Sequence, residues 1–299
     1  MKTETWKRSG ILLLTAFIWG IAFVAQSVGM DYVEPFTFNG VRTLLGGIVL
    51  IPCIFILKKI NPPAKKEEKA DKKMLIMGGT LCGIALCVGS SLQQIGLAMY
   101  SADTNVGKAG FITALYIILV PLIGIFMKKK AGLTVWLGVL LAVFGFYFLC
   151  IKDGFSVELA DIIVLIGSVA FSFHILIIDY FADKADGVKL SCIQFFTCGA
   201  ICLLIMLLLE NPTWEAIWAA RIPILYAGVM SCGVAYTLQI IGQKNMNPTV
   251  ASLLLSLESV FSALAGWVIL NQSLNMRELF GCVLVFAAII LAQMPQKKR

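Results

Sequence analysis

The sequence predicts an all-α integral membrane protein of ten transmembrane helices, arranged as two inverted five-helix repeats with both termini in the cytoplasm. Three observations predict it. The 299 residues are 59% hydrophobic and 14% charged, with a mean hydropathy of +0.90, against ~45–50% apolar residues in a soluble domain. Apolar runs of spanning length recur along the whole chain. Segments of the two halves also match each other at a nearly fixed offset. A water-soluble domain of this size cannot hide so much apolar surface. The period-two alternation of an outer-membrane barrel strand is missing.

A helix needs roughly 20 apolar residues to cross ~30 Å of hydrocarbon. Span one is 9–29; eight more segments of similar weight follow it, so it reads as a membrane helix and not as a cleaved signal peptide. Span two, 36–57, carries Arg42 one or two turns in. Span three, 74–99, places Gly79, Gly83, Cys87, Ser90 and Gln94 on one small, polar face, which suits close helix approach. Span four, 104–127, begins near Lys108 and carries Tyr116. Span five is 132–151. Span six, 159–179, holds His174, the one histidine of the chain. Spans seven and eight are 190–209 and 221–242, the latter with Tyr236 and Gln239. Span nine, 249–270, buries Glu258, and span ten is 276–294. No connection is long enough for a soluble domain.

Basic residues set the orientation. With the N-terminus inside, all but five of the 24 Lys and Arg residues fall on the cytoplasmic side; the five are Arg42, Lys108, Lys152, Arg221 and Arg277. The bias holds loop after loop, as the positive-inside rule requires of an even span count. The formal net charge of +7 is therefore topology, and nucleic acid is not expected as a partner. The nine cysteines fall in or beside apolar spans, without a C-x-x-C pair, and read as packing residues with no metal expected.

The repeat is visible in Ser91-Leu92-Gln93-Gln94-Ile95-Gly96 against Thr237-Leu238-Gln239-Ile240-Ile241-Gly242. It is visible again in 109–126 against 251–268, where Leu115 falls opposite Leu257 and Tyr116 opposite Glu258. Gly138 falls opposite Gly281, so the offset runs from 142 to 146 residues. The repeats are 1–152 and 153–299. Five spans is an odd number, so the second repeat enters the membrane from the opposite side, the plan by which many secondary transporters alternate access around a midplane site.

A charge within the membrane costs roughly 2.5–3.5 kcal/mol on insertion scales and needs a reason. Glu258 lies nine or ten residues inside span nine, on a small or polar stripe with Leu255, Ser262 and Ala265. It is a candidate cavity group and, with His174, a candidate for proton coupling. Lys108 either draws an anionic group or reaches the outer headgroups. Arg42 either pairs with an outer acidic group or reaches headgroups or substrate. Ser90, Gln94 and Gln239 are candidate cavity polar groups, and Trp19, Tyr116 and Tyr236 candidate aromatic walls.

Trp19-Gly20-Ile21-Ala22-Phe23 resembles the W-G-x-x-F signature of the EamA-type family in the drug/metabolite transporter superfamily. Phe38-Asn39-Gly40-Val41-Arg42 is similar to that family's early span two. The run from Gly107 through Tyr116 to Val120-Pro121-Leu122 resembles its span four. Ala251-Ser252-Leu253, Leu257-Glu258, Gly266-Trp267 and Gly281 resemble its last two spans. Two positions depart: Ser259 stands where the family often has Pro, and Phe173 beside His174 where its sixth span often has Trp. The resemblance implies a bacterial ten-helix transporter of the plasma membrane, with a central cavity built from spans one to four and six to nine. It also implies an organic substrate, often an amino acid or related metabolite moved outward.

Other classes fit less well. An intramembrane serine hydrolase wants a serine motif and a partnered His, and Gly89-Ser90-Ser91 supplies neither. A membrane prenyltransferase wants Asp-rich motifs, of which Asp183 and Asp186 are a poor remnant. A channel needs no signature and remains the runner-up. No glycine-rich phosphate loop is present, so neither nucleotide nor any cofactor is expected.

Overall fold

In the computed structural model, residues 2–60, 72–100, 106–128, 132–150, 157–270 and 275–293 are described. Residues 61–71, Lys129, Lys130, Lys152 and the basic C-terminal run, which carry part of the orientation argument, lie outside them. Among the described residues the secondary structure is helical, without a strand. The elements are α1 (Lys2–Gly29), α2 (Pro35–Ile60), α3 (Lys72–Met99), α4 (Val106–Ala114), α5 (Tyr116–Phe126), α6 (Leu133–Cys150), α7 (Leu159–Phe181) and α8 (Gly187–Leu209). The short α9 (Trp214–Ala219) and α10 (Arg221–Leu225) lead into a π-helical segment, Tyr226–Tyr236. Then come α11 (Thr237–Gln243), α12 (Pro248–Leu255), α13 (Glu258–Leu270) and α14 (Met276–Gln293).

Eight described helical stretches are long and apolar enough to cross a membrane, from Trp6–Gly29 to Pro248–Leu270. The two other expected spans, five (132–151) and ten (276–294), are helical as α6 and α14, with Leu133–Phe148 a shorter apolar stretch. The distribution of side chains is that of a protein solvated by lipid. Leu208 is 81% and Phe126 88% exposed, whereas Asn39, Gln94 and Gln194 are wholly buried. Apolar surface faces out because the surroundings are apolar, and polar groups turn inward to find partners.

Chain punctuation explains the helix ends. Asp186 accepts from the Val188 and Lys189 amides at the start of α8, and Asn247 accepts from the Thr249 amide with Pro248 next to it at the start of α12. Glu158 and Asp161 form a reciprocal capping box on α7. The start of α2 is capped from a distance: Glu210, at the end of α8, accepts from the Phe36 and Thr37 amides at 2.7 and 2.6 Å. A carboxylate there meets the positive end of the helix dipole.

α6 packs along α14; α3 packs on α7 and α8; α2 packs on α8 and the π-helical segment; α1 packs on α13 and that segment. Spans four and nine are each broken, and their halves cross: α4 lies against α13, and α5 against α12. The α6–α14 contact is close enough to exclude a side chain. A Cβ added at Gly145 would sit 2.9 Å from the Gly281 carbonyl oxygen and 2.7 Å from Val285 Cγ2.

Gly145→Leu is therefore expected to destabilise the protein by about 1–3 kcal/mol through overpacking. Gly10→Ala, where nothing lies within 4 Å, is expected to leave stability unchanged or slightly raised. Thermal unfolding of the two variants in detergent checks the contrast; equal midpoints would contradict the α6–α14 contact.

Candidate functional site

The site grows from the two helix breaks. In span four the ladder is interrupted at Leu115, between α4 and α5. Ser168 Oγ donates to the Thr113 carbonyl at 2.8 Å, and Pro121 inside α5 supplies no amide to the ladder. In span nine the ladder is interrupted at Ser256 and Leu257. Hydroxyls join the amides as local donors here: Ser252 Oγ bonds the Thr249 carbonyl and Ser256 Oγ the Leu253 carbonyl, at 2.9 and 2.8 Å. Across the gap, Ser259 Oγ donates to the Gly110 carbonyl at 2.7 Å, and Gly110 has no side chain to hold the helices apart. Tyr116 and Glu258 are the first residues after the two breaks, and Tyr116 Oη donates to Glu258 Oε1 at 2.9 Å. The residues matched by the internal repeat thus bond to each other.

Around this bond lies a cavity with about 460 Å³ of space between atoms, its open part included. α1 contributes Trp19, Phe23 and Gln26, at helical spacing on one face. α2 contributes Arg42, α3 Gln93, α4 Thr113 and α7 Phe171, His174 and Ile175. The remainder comes from Ser231 and Tyr236 of the π-helical segment, Gln239 of α11, and the Tyr116–Glu258 pair. Neither α6 nor α14 contributes. Tyr236 is the central aromatic wall, with ring centroids 4.6 Å from Trp19, 5.8 Å from His174 and 5.7 Å from Phe195.

Of the residues singled out in the sequence, the structure brings Trp19, Tyr116, His174, Tyr236, Gln239 and Glu258 to one cavity. It does not bring Ser90, Gln94 or Lys108 there. Gln94 Nε2 donates to the Gln26 carbonyl at 3.1 Å, tying α3 to α1 behind the cavity wall. Ser90 is buried with its hydroxyl unpartnered but lies off the cavity. Lys108 sits at the start of α4 in an ionic cluster, 3.0 Å from Glu158 and 2.9 Å from Asp161, with Tyr100 Oη donating to Asp161 at 2.6 Å. Its charge is answered by these acids. His174 Nε2 lies 3.0 Å from Gln194 Oε1, so the imidazole is both a wall and a partner to α8.

Gln26, Thr113 and Ser231 were not picked out as site residues, being uncharged, and of the adjacent Gln93 and Gln94 the sequence singled out Gln94. The one usable signal was the recurrence of Trp19, Phe23 and Gln26 at spacings of four and three. Arg42 was weighed in the sequence as pairing with an outer acidic group or reaching headgroups or substrate; the structure buries it to 3% exposure in the cavity wall. Cys87, Cys198 and Cys202 also converge, with their sulfurs within 4.8 Å of one another between α3 and α8. No chain spacing announced this, because Cys87 comes from a different helix.

A bundle with apolar outer faces, broken helices and a cavity lined by buried polar side chains between them defines a polytopic membrane protein. The EamA-like transporter family model matches residues 8–151 and again 158–294, and the chain belongs to that family of membrane transporters. It is 31% identical over 291 residues to an uncharacterized transporter of Archaeoglobus fulgidus, covering 95% of this chain and 84% of that one. It is 21% identical over 294 residues to the uncharacterized transporter YoaV of Bacillus subtilis, covering 94% of each. A solved crystal structure shares the fold with a TM-score of 0.76 and 16% identity, covering 96% of each chain.

The Tyr116–Glu258 bond has a direct test. In a double-mutant cycle of Tyr116→Phe and Glu258→Gln, the coupling in thermal stability is expected to be about 0.5–3 kcal/mol. Additive losses would mean that the two side chains do not depend on each other.

Proposed function

We propose that the chain is a ten-span secondary transporter of a small organic metabolite, moving it across the plasma membrane by alternating access. The observation that carries this reading is the meeting of Tyr116 and Glu258 in one cavity. An inverted repeat around a midplane site would bring those two matched positions together. The repeats are 1–152 and 153–299, with both termini cytoplasmic and α6 and α14 crossing the membrane at the periphery. Three further features support the repeat. The family model matches once in each half. Spans two and seven, four and nine, and five and ten pack against each other, as a two-fold relation between the halves requires. Span three packs on span six as span eight packs on span one.

In this reading Trp19 and Tyr236 grip the solute, Gln239 and His174 orient it, and Glu258 binds its polar group or carries a coupling proton, a second role open to His174. Ser90 and Gln94 shape the α3 wall from behind, and Lys108 closes the outer end. The substrate class nearest the resemblance is an amino acid or related metabolite, exported from the cell. The activity is transport and not catalysis, and it runs without nucleotide.

Cysteine placed at position 116 in a cysteine-free protein is expected to react with small water-soluble thiol reagents, whereas cysteine at Val283 on the exposed face of α14 is expected to stay inert. Uniform inertness would remove the cavity. In proteoliposomes, solute flux is expected to saturate and to exchange against unlabelled solute; linear, unsaturable flux would instead point to a channel. If Glu258 carries the coupling proton, Glu258→Gln abolishes flux driven by a pH gradient and preserves exchange at equal pH. Unchanged gradient-driven transport by the folded variant would exclude both functional roles of Glu258.

A further inference from the structure

Among the described residues Arg42 is the one cavity-lining group that carries a fixed positive charge, and no carboxylate pairs with it. Its Nε donates to Asn39 Oδ1 at 2.8 Å and its guanidinium lies 5.5 Å from the Phe38 ring centroid. Both partners are uncharged. Glu210 is engaged on the start of α2, Asp161 and Glu158 with Lys108, and Glu258, the acid of the same cavity, with Tyr116. Among the described residues, no carboxylate is in ion-pair contact with Arg42.

A buried guanidinium has five donors and cannot shed its proton. Inside a membrane such a charge is retained only with a partner or a water-filled cavity around it, and it marks a solute path. Three buried polar atoms of the same cavity also lack protein partners: Trp19 Nε1, Gln26 Oε1 and Gln239 Oε1. One is a donor and two are acceptors. Phe23, Phe171 and Ile175 leave the rest of the wall apolar.

We infer that Arg42 holds the anionic group of the transported solute, and that the solute is a small carboxylate bearing an N–H or O–H donor and an apolar portion. This inference rests on the cavity being the solute site. A carboxylate meets a guanidinium with two parallel hydrogen bonds, which supplies the counter-charge that the fold omits. The indole N–H of Trp19 adds a donor to the same ligand, and the Gln26 and Gln239 oxygens accept from its donor groups. The apolar portion lies along Phe23, Phe171 and Ile175. Empty, the site leaves the guanidinium without an ion-pair partner; filled, the solute carboxylate supplies one.

The test uses purified full-length protein and matched probe pairs: leucine with leucinamide, and phenyllactate and 2-hydroxyisocaproate each with its primary amide. Binding is read by thermal shift, since a ligand that binds the folded state raises the unfolding midpoint by mass action. At least one acid is expected to bind about tenfold more tightly than its amide. Arg42→Gln is expected to erase that preference, and Arg42→Lys to retain part of it. Equal binding of acids and amides, or no response to any acid, overturns the assignment. So does an acid preference that survives in a folded Arg42→Gln protein. The acid–amide comparison in the wild type keeps the test decisive if Arg42→Gln fails to fold. The thiol-reagent test at position 116 probes the cavity whatever the ligand. Reactivity at 116 without an acid preference condemns only the Arg42 assignment, whereas inertness there condemns the cavity itself.

Discussion

Everything in this structure depends on one constraint: polar groups that face an apolar solvent must be answered from within the protein. The Tyr116–Glu258 hydrogen bond is where that constraint is most demanding. Two helices stop and restart at the same depth, and each restart carries a polar side chain. The phenol donates, the carboxyl accepts, and the interrupted carbonyls are taken up by serine hydroxyls on the facing or the same helix. An open cavity can persist beside this arrangement because the breaks themselves leave little unsatisfied. Three of the polar atoms left unpartnered, Trp19 Nε1, Gln26 Oε1 and Gln239 Oε1, lie in the cavity wall, and others, at Ser90, Ser191 and Thr237 among them, lie outside it.

The ends of the helices are held differently from their middles. Lys108 of α4 meets Asp161 of α7, and Glu210 of α8 caps α2. Each contact joins a residue of the first half of the chain to one of the second, and each involves a full charge. Between these clasps, glycines and small residues let helices pack closely, and uncharged hydrogen bonds such as Gln94 to Gln26 and Ser259 to Gly110 join them. If the halves rock against each other during transport, the ionic clasps must open, whereas the small-residue contacts can slide. The charged contacts are therefore the natural place for one conformation to be selected over another.

Most of the helical layout could be read from the chain because a membrane span is a strong, one-dimensional signal: length and apolarity suffice. The likeness between the halves was legible in the chain too, since the matched stretches around Gln93 and Gln239, and around Tyr116 and Glu258, keep register. The site was legible in part. Glu258, His174 and Tyr116 are costly or large enough in a span to draw attention by themselves. Lys108 drew attention equally and belongs to an ion cluster with Glu158 and Asp161, because a charge at the start of a helix can turn to partners at the helix end instead of into a cavity. Gln93 and Gln94 are adjacent and chemically identical, yet one faces the cavity and the other faces α1. A helix turns ~100° per residue, and span three carries small residues on enough of its surface that composition could not fix its rotation. The buried state of Arg42 was not legible, because no sequence pattern shows that Glu210 and Asp161 are committed elsewhere.

The substitution of Ser259 for the proline common in related transporters shows how the same break is achieved by other means. A proline one residue into α13 would lack an amide. Ser259 keeps that amide, which bonds the Ser256 carbonyl at 3.1 Å, and its hydroxyl reaches the Gly110 carbonyl at 2.7 Å. Proline could make neither bond. The break therefore does not rest on a missing donor. It rests on a run of hydroxyls at Ser252, Ser256, Ser259 and Ser262 that compete for carbonyls with the helix ladder. Such a break is held by hydrogen bonds that can exchange partners, and it is anchored to span four at Gly110. Movement of α13 relative to α12 is then coupled to α4, and so to the bond between Tyr116 and Glu258 that the two breaks bring together.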